Sequence, residues 1–163
     1  MTASERNIVV LGIGNLLKGD DGVGVRVIEA LAGRSFPDDV ECIDGGTGGP
    51  TLMVHIDGAR ALVIVDAVNL DAPPGAVRAF SLDEIEDAGD LAACFSLHDV
   101  GILPMLELAR GLGTLPPVVR IVGVQPERFD LGDRLSPAVE AAVPRAADLV
   151  VKEIERLAGE GAS

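Results

Sequence analysis

A short apolar run that ends in glycines and then changes period constrains this chain more than any other feature. Ile8-Val9-Val10-Leu11 is continuous and apolar, the pattern of a strand covered on both faces. Gly12-Ile13-Gly14 follows, where a strand gives way to a loop. Beyond Asp20 and Asp21 the apolar residues Val23, Val27, Ala30 and Leu31 recur at helical spacing. A buried strand feeding an amphipathic helix opens an α/β fold. In open α/β sheets, ligands bind outside the carboxyl ends of the strands. Asp20 and Asp21 fall in that place.

The alternation continues. The spacing predicts a first strand over 7–12, a helix over 21–33, and a second strand at Val40–Ile43. That strand runs into a glycine-rich loop, Asp44-Gly45-Gly46-Thr47-Gly48-Gly49. A short helix is expected over 50–57, with Pro50 at its first position. Ala61–Val65 is the most apolar strand, predicted central, and ends at Asp66. Ala76–Ser81 follows a turn too short for a crossover, which predicts an edge strand antiparallel to the 61–65 strand. The acidic run Asp83–Asp90 reads as a solvated loop or short helix. The next helix ends near Gly111, with Pro104 confined to its first turn, because deeper it would remove a hydrogen bond. Val118–Val124 is another buried strand. Ser136 and Pro137 read as a helix cap and first residue. Val139, Val143, Ala146, Val150, Ile154 and Leu157 then form one stripe, in which Pro144 predicts a kink or a break. No repeat or linker divides the 163 residues. The expected architecture is one domain, a three-layer α/β/α sandwich around a mostly parallel five-stranded sheet.

Composition narrows the function classes. The net charge of −13 opposes binding to nucleic acid or to an anionic membrane surface. Trp and Tyr are absent and Phe numbers four, too few for a base-stacking platform. No apolar run reaches the roughly 18 residues of a membrane span. The polar start lacks the pattern of a signal peptide. Cys42 and Cys94 have no metal-ligand spacing. A reducing cytoplasm is the simpler setting for them.

Nucleotide binding fails on two counts. Gly12-Ile13-Gly14 begins a G-x-G-x-x-G pattern, but Leu17 holds the third glycine position. Asp20 and Asp21 then stand where a pyrophosphate would rest on a helix N-terminus. G-x-S-x-G and H-E-x-x-H are both absent. What remains is a set of acids and a histidine at strand ends: Asp21, Asp66 and His98. Two carboxylates and an imidazole suit a borderline divalent metal such as nickel or zinc. A helix N-terminus favours the ionised carboxylate a ligand must be. Each residue also has a plainer reading. Asp20 reads as a helix cap. Asp21 is equally a first-turn residue favoured by the helix dipole, and Asp66 could cap a turn. Lone histidines such as His98 are more often structural, as His55 is expected to be. Asn15 serves equally as a turn residue.

One ordered set goes further: Gly12-Ile13-Gly14-Asn15-Leu16-Leu17-Lys18-Gly19-Asp20-Asp21-Gly22, then Asp44-Gly45-Gly46-Thr47-Gly48-Gly49, Val65-Asp66-Ala67, His98-Asp99-Val100-Gly101 and Val122-Gly123-Val124-Gln125-Pro126-Glu127. It resembles the hydrogenase maturation protease family over nearly the whole chain, including Leu135-Ser136-Pro137 and Pro144. The resemblance implies a single domain over residues 1–163 with a twisted, partly mixed sheet. It implies an endopeptidase that removes a C-terminal extension from the nickel-loaded large-subunit precursor of a nickel–iron hydrogenase. Family metal contacts map onto Asp21, Asp66 and His98. The first of these positions is often Glu in the family and is Asp here, one methylene shorter.

The expectation is that these three side chains recognise nickel carried by the precursor. Asp21 or Asp66 would activate the attacking water, and the 45–49 loop would admit the substrate backbone. Two rivals use the same residues. One is a nickel chaperone or assembly factor that holds the precursor without cutting it. The other is a metal-dependent hydrolase of a small substrate.

Overall fold

The computed structural model describes residues 8–37, 39–89, 95 and 102–161. Within them five strands form one sheet: β1 (Ile8–Ile13), β2 (Val40–Gly46), β3 (Ala61–Ala67), β4 (Val77–Ser81) and β5 (Val118–Val124), in the order β2-β1-β3-β5-β4. The helices are α1 (Val23–Leu31), α2 (Met53–Ile56), α3 (Leu82–Ala88), α4 (Leu103–Leu112) and α5 (Pro137–Gly161). Single 3-10 turns at Gly19–Gly22 and Gly49–Leu52 lead into α1 and α2.

Every residue of β1 and β3 is buried, as continuous apolar strands must be when helices cover both faces. Alternation along β3 divides the core. Ala61, Val63, Val65 and Ala67 join the layer built with α1 and α5. Leu62 and Ile64 join the layer built with α2, α3 and α4. The expected α/β/α sandwich is therefore present, mostly parallel with one antiparallel edge.

The connections have a functional consequence. From β1 the chain passes through α1 on one face to β2. From β2 it returns through α2 on the opposite face to β3, on the other side of β1. Strand order reverses between β1 and β3, and a crevice opens at such a switch point at the carboxyl ends of the strands.

Three expectations are corrected. β4 is antiparallel and at the edge, but its partner is β5 and not the 61–65 strand. That central strand already has β1 on one side and β5 on the other. A backbone clasp starts the edge pairing: Gly75 N–H donates to Gln125 C=O at 2.9 Å, and Gln125 N–H to Ala76 C=O at 2.8 Å. Second, β3 runs one residue past the expected end at Asp66, to Ala67. It pairs with β5 through Asp66 and Ala67, so Asp66 is a strand residue. Third, of the kink or break expected at Pro144, the break is absent: α5 runs unbroken from Pro137 to Gly161. Losing one helical hydrogen bond costs about 3 kcal/mol. Burial of Val139 and Ala142 before the proline, and of Ala146, Val150, Ile154 and Leu157 after it, offsets that cost.

Other expectations hold. Pro104 lies in the first turn of α4. The acidic run forms a short helix, α3, whose N-cap Ser81 accepts the Glu84 N–H at 3.1 Å. Among the described residues no helix is long and apolar enough to cross a membrane.

Candidate functional site

The β1–β3 crevice is bounded by the turn that follows β1 and the end of β3. Two glycines bring the turn in. Gly14 has φ +142°, and a Cβ there would overlap the Asp21 carbonyl, so the chain can fold back onto β1 only without a side chain. Gly24 lies in the first turn of α1. A Cβ there would overlap the carbonyl oxygens of Val65 and Ile13. The start of α1 thus seats directly on the two central strands.

Asp21 occupies the 3-10 turn and is 8% exposed. Its Oδ2 accepts the Asn15 N–H at 2.9 Å. Asn15 does more than form a turn: its Oδ1 accepts the Leu17 N–H at 2.9 Å, and its C=O accepts the Lys18 N–H at 3.1 Å. The turn is wound around Asn15 and presents the Asp21 carboxylate from a fixed frame.

Asp66 is fully buried on β3. Alternation places its side chain on the face of α2, α3 and α4, opposite Val65 and Ala67. Its Oδ1 accepts the Ala67 N–H at 2.8 Å. The 3-10 turn of Asp21 packs against β3, so the structure brings Asp21 and Asp66 to one edge of the sheet, on either side of the crevice. His98, the third expected residue, lies outside the described residues, as does Cys94. Among the described residues no group of three or more His, Cys, Asp or Glu side chains is gathered to hold a metal ion. The described part of the site is a pair of carboxylates, a hard-oxygen set that can contact a divalent cation or orient a water. His55 is half-buried on α2, away from this pair in sequence and element.

The glycine-rich end of β2 forms a second wall: the strand runs past the expected Ile43 to Gly46, so Asp44, Gly45 and Gly46 pair with β1 and are not loop residues. Gly46 C=O accepts the Gly14 N–H at 2.9 Å, and Asp44 Oδ1 accepts the Gly46 N–H at 3.0 Å. At Gly45 a Cβ would stand 3.0 Å from the Gly12 carbonyl oxygen. This end of β2 therefore lies against the exit of β1. A third wall follows β5. Gln125 Oε1 accepts the Leu70 N–H at 2.6 Å, joining the segments after β3 and β5. A depression of about 310 Å³ beside them is lined by Asn69 and by Gln125 through Phe129.

Asp20 is the residue that sequence reasoning misread. It caps no helix. Its side chain is fully buried and accepts from Ser136 N–H (2.7 Å), Ser136 Oγ–H (2.7 Å), Glu127 N–H (2.8 Å) and Arg128 N–H (3.1 Å). Ser136 does precede α5, and its C=O accepts the Glu140 N–H, but its hydroxyl serves Asp20. The sequence offered one signal, an acid beside a strand-end glycine turn, which does not reveal partners more than a hundred residues away.

Comparison with known proteins agrees with this fold. The profile of the family described as "Hydrogenase maturation protease" matches residues 25–153. A hydrogenase expression/formation protein of Azotobacter chroococcum, HupM, is 43% identical over 143 residues, 86% of this chain and 68% of its own length. The corresponding HoxM protein of Azotobacter vinelandii is 42% identical, and the match spans 66% of it. This chain thus spans about two thirds of the length of those relatives. The hydrogenase 2 maturation protease of Escherichia coli K12 is 36% identical, with 88% of each chain covered. Among solved structures, the hydrogenase maturating endopeptidase HybD of Escherichia coli superposes with a TM-score of 0.80 at 34% identity, over 92% of this chain and 93% of that one.

Proposed function

Because this chain belongs to the hydrogenase maturation protease family, we propose that it is the endopeptidase that trims the C-terminal extension from the nickel-loaded large-subunit precursor of a nickel–iron hydrogenase, acting in the cytoplasm. The observation that supports this reading is the pair of carboxylates at the β1–β3 switch point, Asp21 on the turn after β1 and Asp66 at the end of β3. They stand where an open α/β sheet presents its ligand, beside the glycine-rich end of β2.

In this reading Asp21, Asp66 and His98 contact nickel that the precursor carries. The nickel is part of the substrate, and its charge fixes the precursor's position and polarises the neighbouring peptide bond. The chain's own residues do the rest. Asn15 holds Asp21 Oδ2, and the Ala67 amide holds Asp66 Oδ1, so neither carboxylate must reorganise when substrate arrives. One of the two carboxylates takes a proton from the attacking water. The hydroxyl adds to the scissile carbonyl carbon, the C–N bond breaks, and the amine nitrogen of the leaving segment takes up a proton. No serine or cysteine nucleophile takes part.

The test mixes the purified protein with nickel-loaded and nickel-free precursor and reads intact masses. A C-terminal loss confined to the nickel-loaded sample is expected. Asp66→Asn and His98→Ala are each expected to slow that loss at least about 100-fold. Loss in both samples removes the metal from recognition. No loss from a cognate precursor replaces the endopeptidase with a non-proteolytic assembly factor.

A further inference from the structure

The mechanism above uses Asp21 and leaves unexplained why the adjacent carboxylate is buried more deeply. Asp20 is fully buried, and its four donors all come from the segment between β5 and α5. Backbone bonds between the same two segments surround it. Asp20 N–H donates to Arg128 C=O at 3.1 Å, Gly19 N–H to Gly132 C=O at 3.0 Å, and Gly132 N–H to Leu17 C=O at 2.9 Å. The 3-10 turn is thus gripped from outside by a loop over a hundred residues further along the chain. On its inner side the same turn delivers Asp21 to the crevice.

A buried carboxylate is expensive unless charge-assisted hydrogen bonds satisfy it. A fold that needed only a plug here could use an apolar side chain at lower cost. The carboxylate instead accepts from four donors arranged around it, which sets position and orientation together. We infer that Asp20 is the positioning residue of the site: it clamps the β5–α5 loop onto the turn and so fixes where the Asp21 carboxylate stands. Asp20 itself touches no substrate. For its kinetic consequence the inference rests on the endopeptidase reading; its structural consequence is independent of that reading.

The test uses three variants. Asp20→Asn keeps the shape but turns an amide toward N–H donors, so at least one of the carboxylate's oxygens is lost as an acceptor. Ser136→Ala removes only the hydroxyl bond and keeps the carboxylate. Ser136→Thr restores a hydroxyl. Amide hydrogen exchange is followed at Asn15, which bonds Asp21, and at Val63 in the middle of β3. Exchange at Asn15 is expected to accelerate at least about fivefold more than at Val63 in Asp20→Asn and Ser136→Ala, with Ser136→Thr returning to wild type. With nickel-loaded precursor, kcat is expected to fall about tenfold in Ser136→Ala while KM stays within about twofold, since a small misplacement of a working group costs rate.

Equal acceleration at Asn15 and Val63 shows a general stability role and overturns the inference, as does unchanged kcat in folded Ser136→Ala. If Asp20→Asn does not fold, the two Ser136 variants decide. If wild-type protein leaves a cognate precursor uncut, the endopeptidase reading fails while the exchange comparison still decides the role of Asp20.

Discussion

Gly24→Ala is expected to destabilise this protein, although the same substitution stabilises most helices. A helical glycine replaced by alanine ordinarily gains about 1 kcal/mol. At Gly24 the new methyl would overlap the carbonyl oxygens of Val65 and Ile13 and stand 2.9 Å from the Ile13 nitrogen. All three obstacles are backbone of the central strands and cannot rotate aside. Forcing a methyl into a filled site costs about 1–3 kcal/mol, and more when backbone must move. Because every obstacle is backbone, the upper end of that range, about 3 kcal/mol, applies; less the propensity gain of about 1 kcal/mol, the net loss is about 2 kcal/mol, and α1 must lift off the β1–β3 crevice. Gly111 is the control. It lies within α4 with nothing inside 4 Å of a built Cβ, so Gly111→Ala is expected to gain about 0.5–1 kcal/mol. Urea unfolding followed by far-UV circular dichroism measures both, because a chain without Trp or Tyr has no strong fluorescence reporter. The thermal midpoint should move by about 2–4 °C per kcal/mol for a chain of this size. A Gly24→Ala protein as stable as wild type would refute the close seating of α1 on the strands.

Three further outcomes are expected. Arg120 and Glu153 form a two-pronged, largely buried pair at 3.0 and 3.1 Å, so Glu153→Ala should cost about 3 kcal/mol, the low end for breaking a buried pair, because Glu84 at 3.8 Å remains as a weaker partner of the guanidinium; Arg34→Ala, which removes an exposed pair with Asp148, should cost under about 1 kcal/mol in the same unfolding assay. Ser81→Ala removes the cap of α3 and should cost about 1 kcal/mol by the same measure; no change would mean that α3 is held by packing alone. Burial, and to a lesser extent Glu41 beside it, pushes the Cys42 thiol above its ordinary pKa. The raised value leaves less thiolate at any given pH, so peptide-mapped alkylation of Cys42 at pH 8 should be slower than that of an exposed cysteine and should quicken as pH rises.

The central strands were legible because burial on both faces writes itself as unbroken apolar sequence, as in Ile8–Leu11 and Ala61–Val65. The place of Asp66 near the carboxyl end of β3 was legible for a related reason, since an acid directly after such a run marks where the buried strand gives out. The partner of β4 was not legible. Pairing is made by backbone, and a short turn after β3 says nothing of β5 sliding between them from forty residues further on. Asp20 was misread for the opposite reason. Its local context, an acid before a helix, matches a cap, while its true partners, Glu127, Arg128 and Ser136, are 107 to 116 residues away. That α5 continues through Pro144 was not legible because the burial that offsets the proline is a property of the assembled core.

The reversal of strand order between β1 and β3 also governs when Asp21 and Asp66 can come to one edge of the sheet. Asp21 and Asp66 belong to segments that meet only once β1 and β3 have paired, with the whole β2 excursion closed between them. Until then each carboxylate is an ordinary acid on a nascent chain.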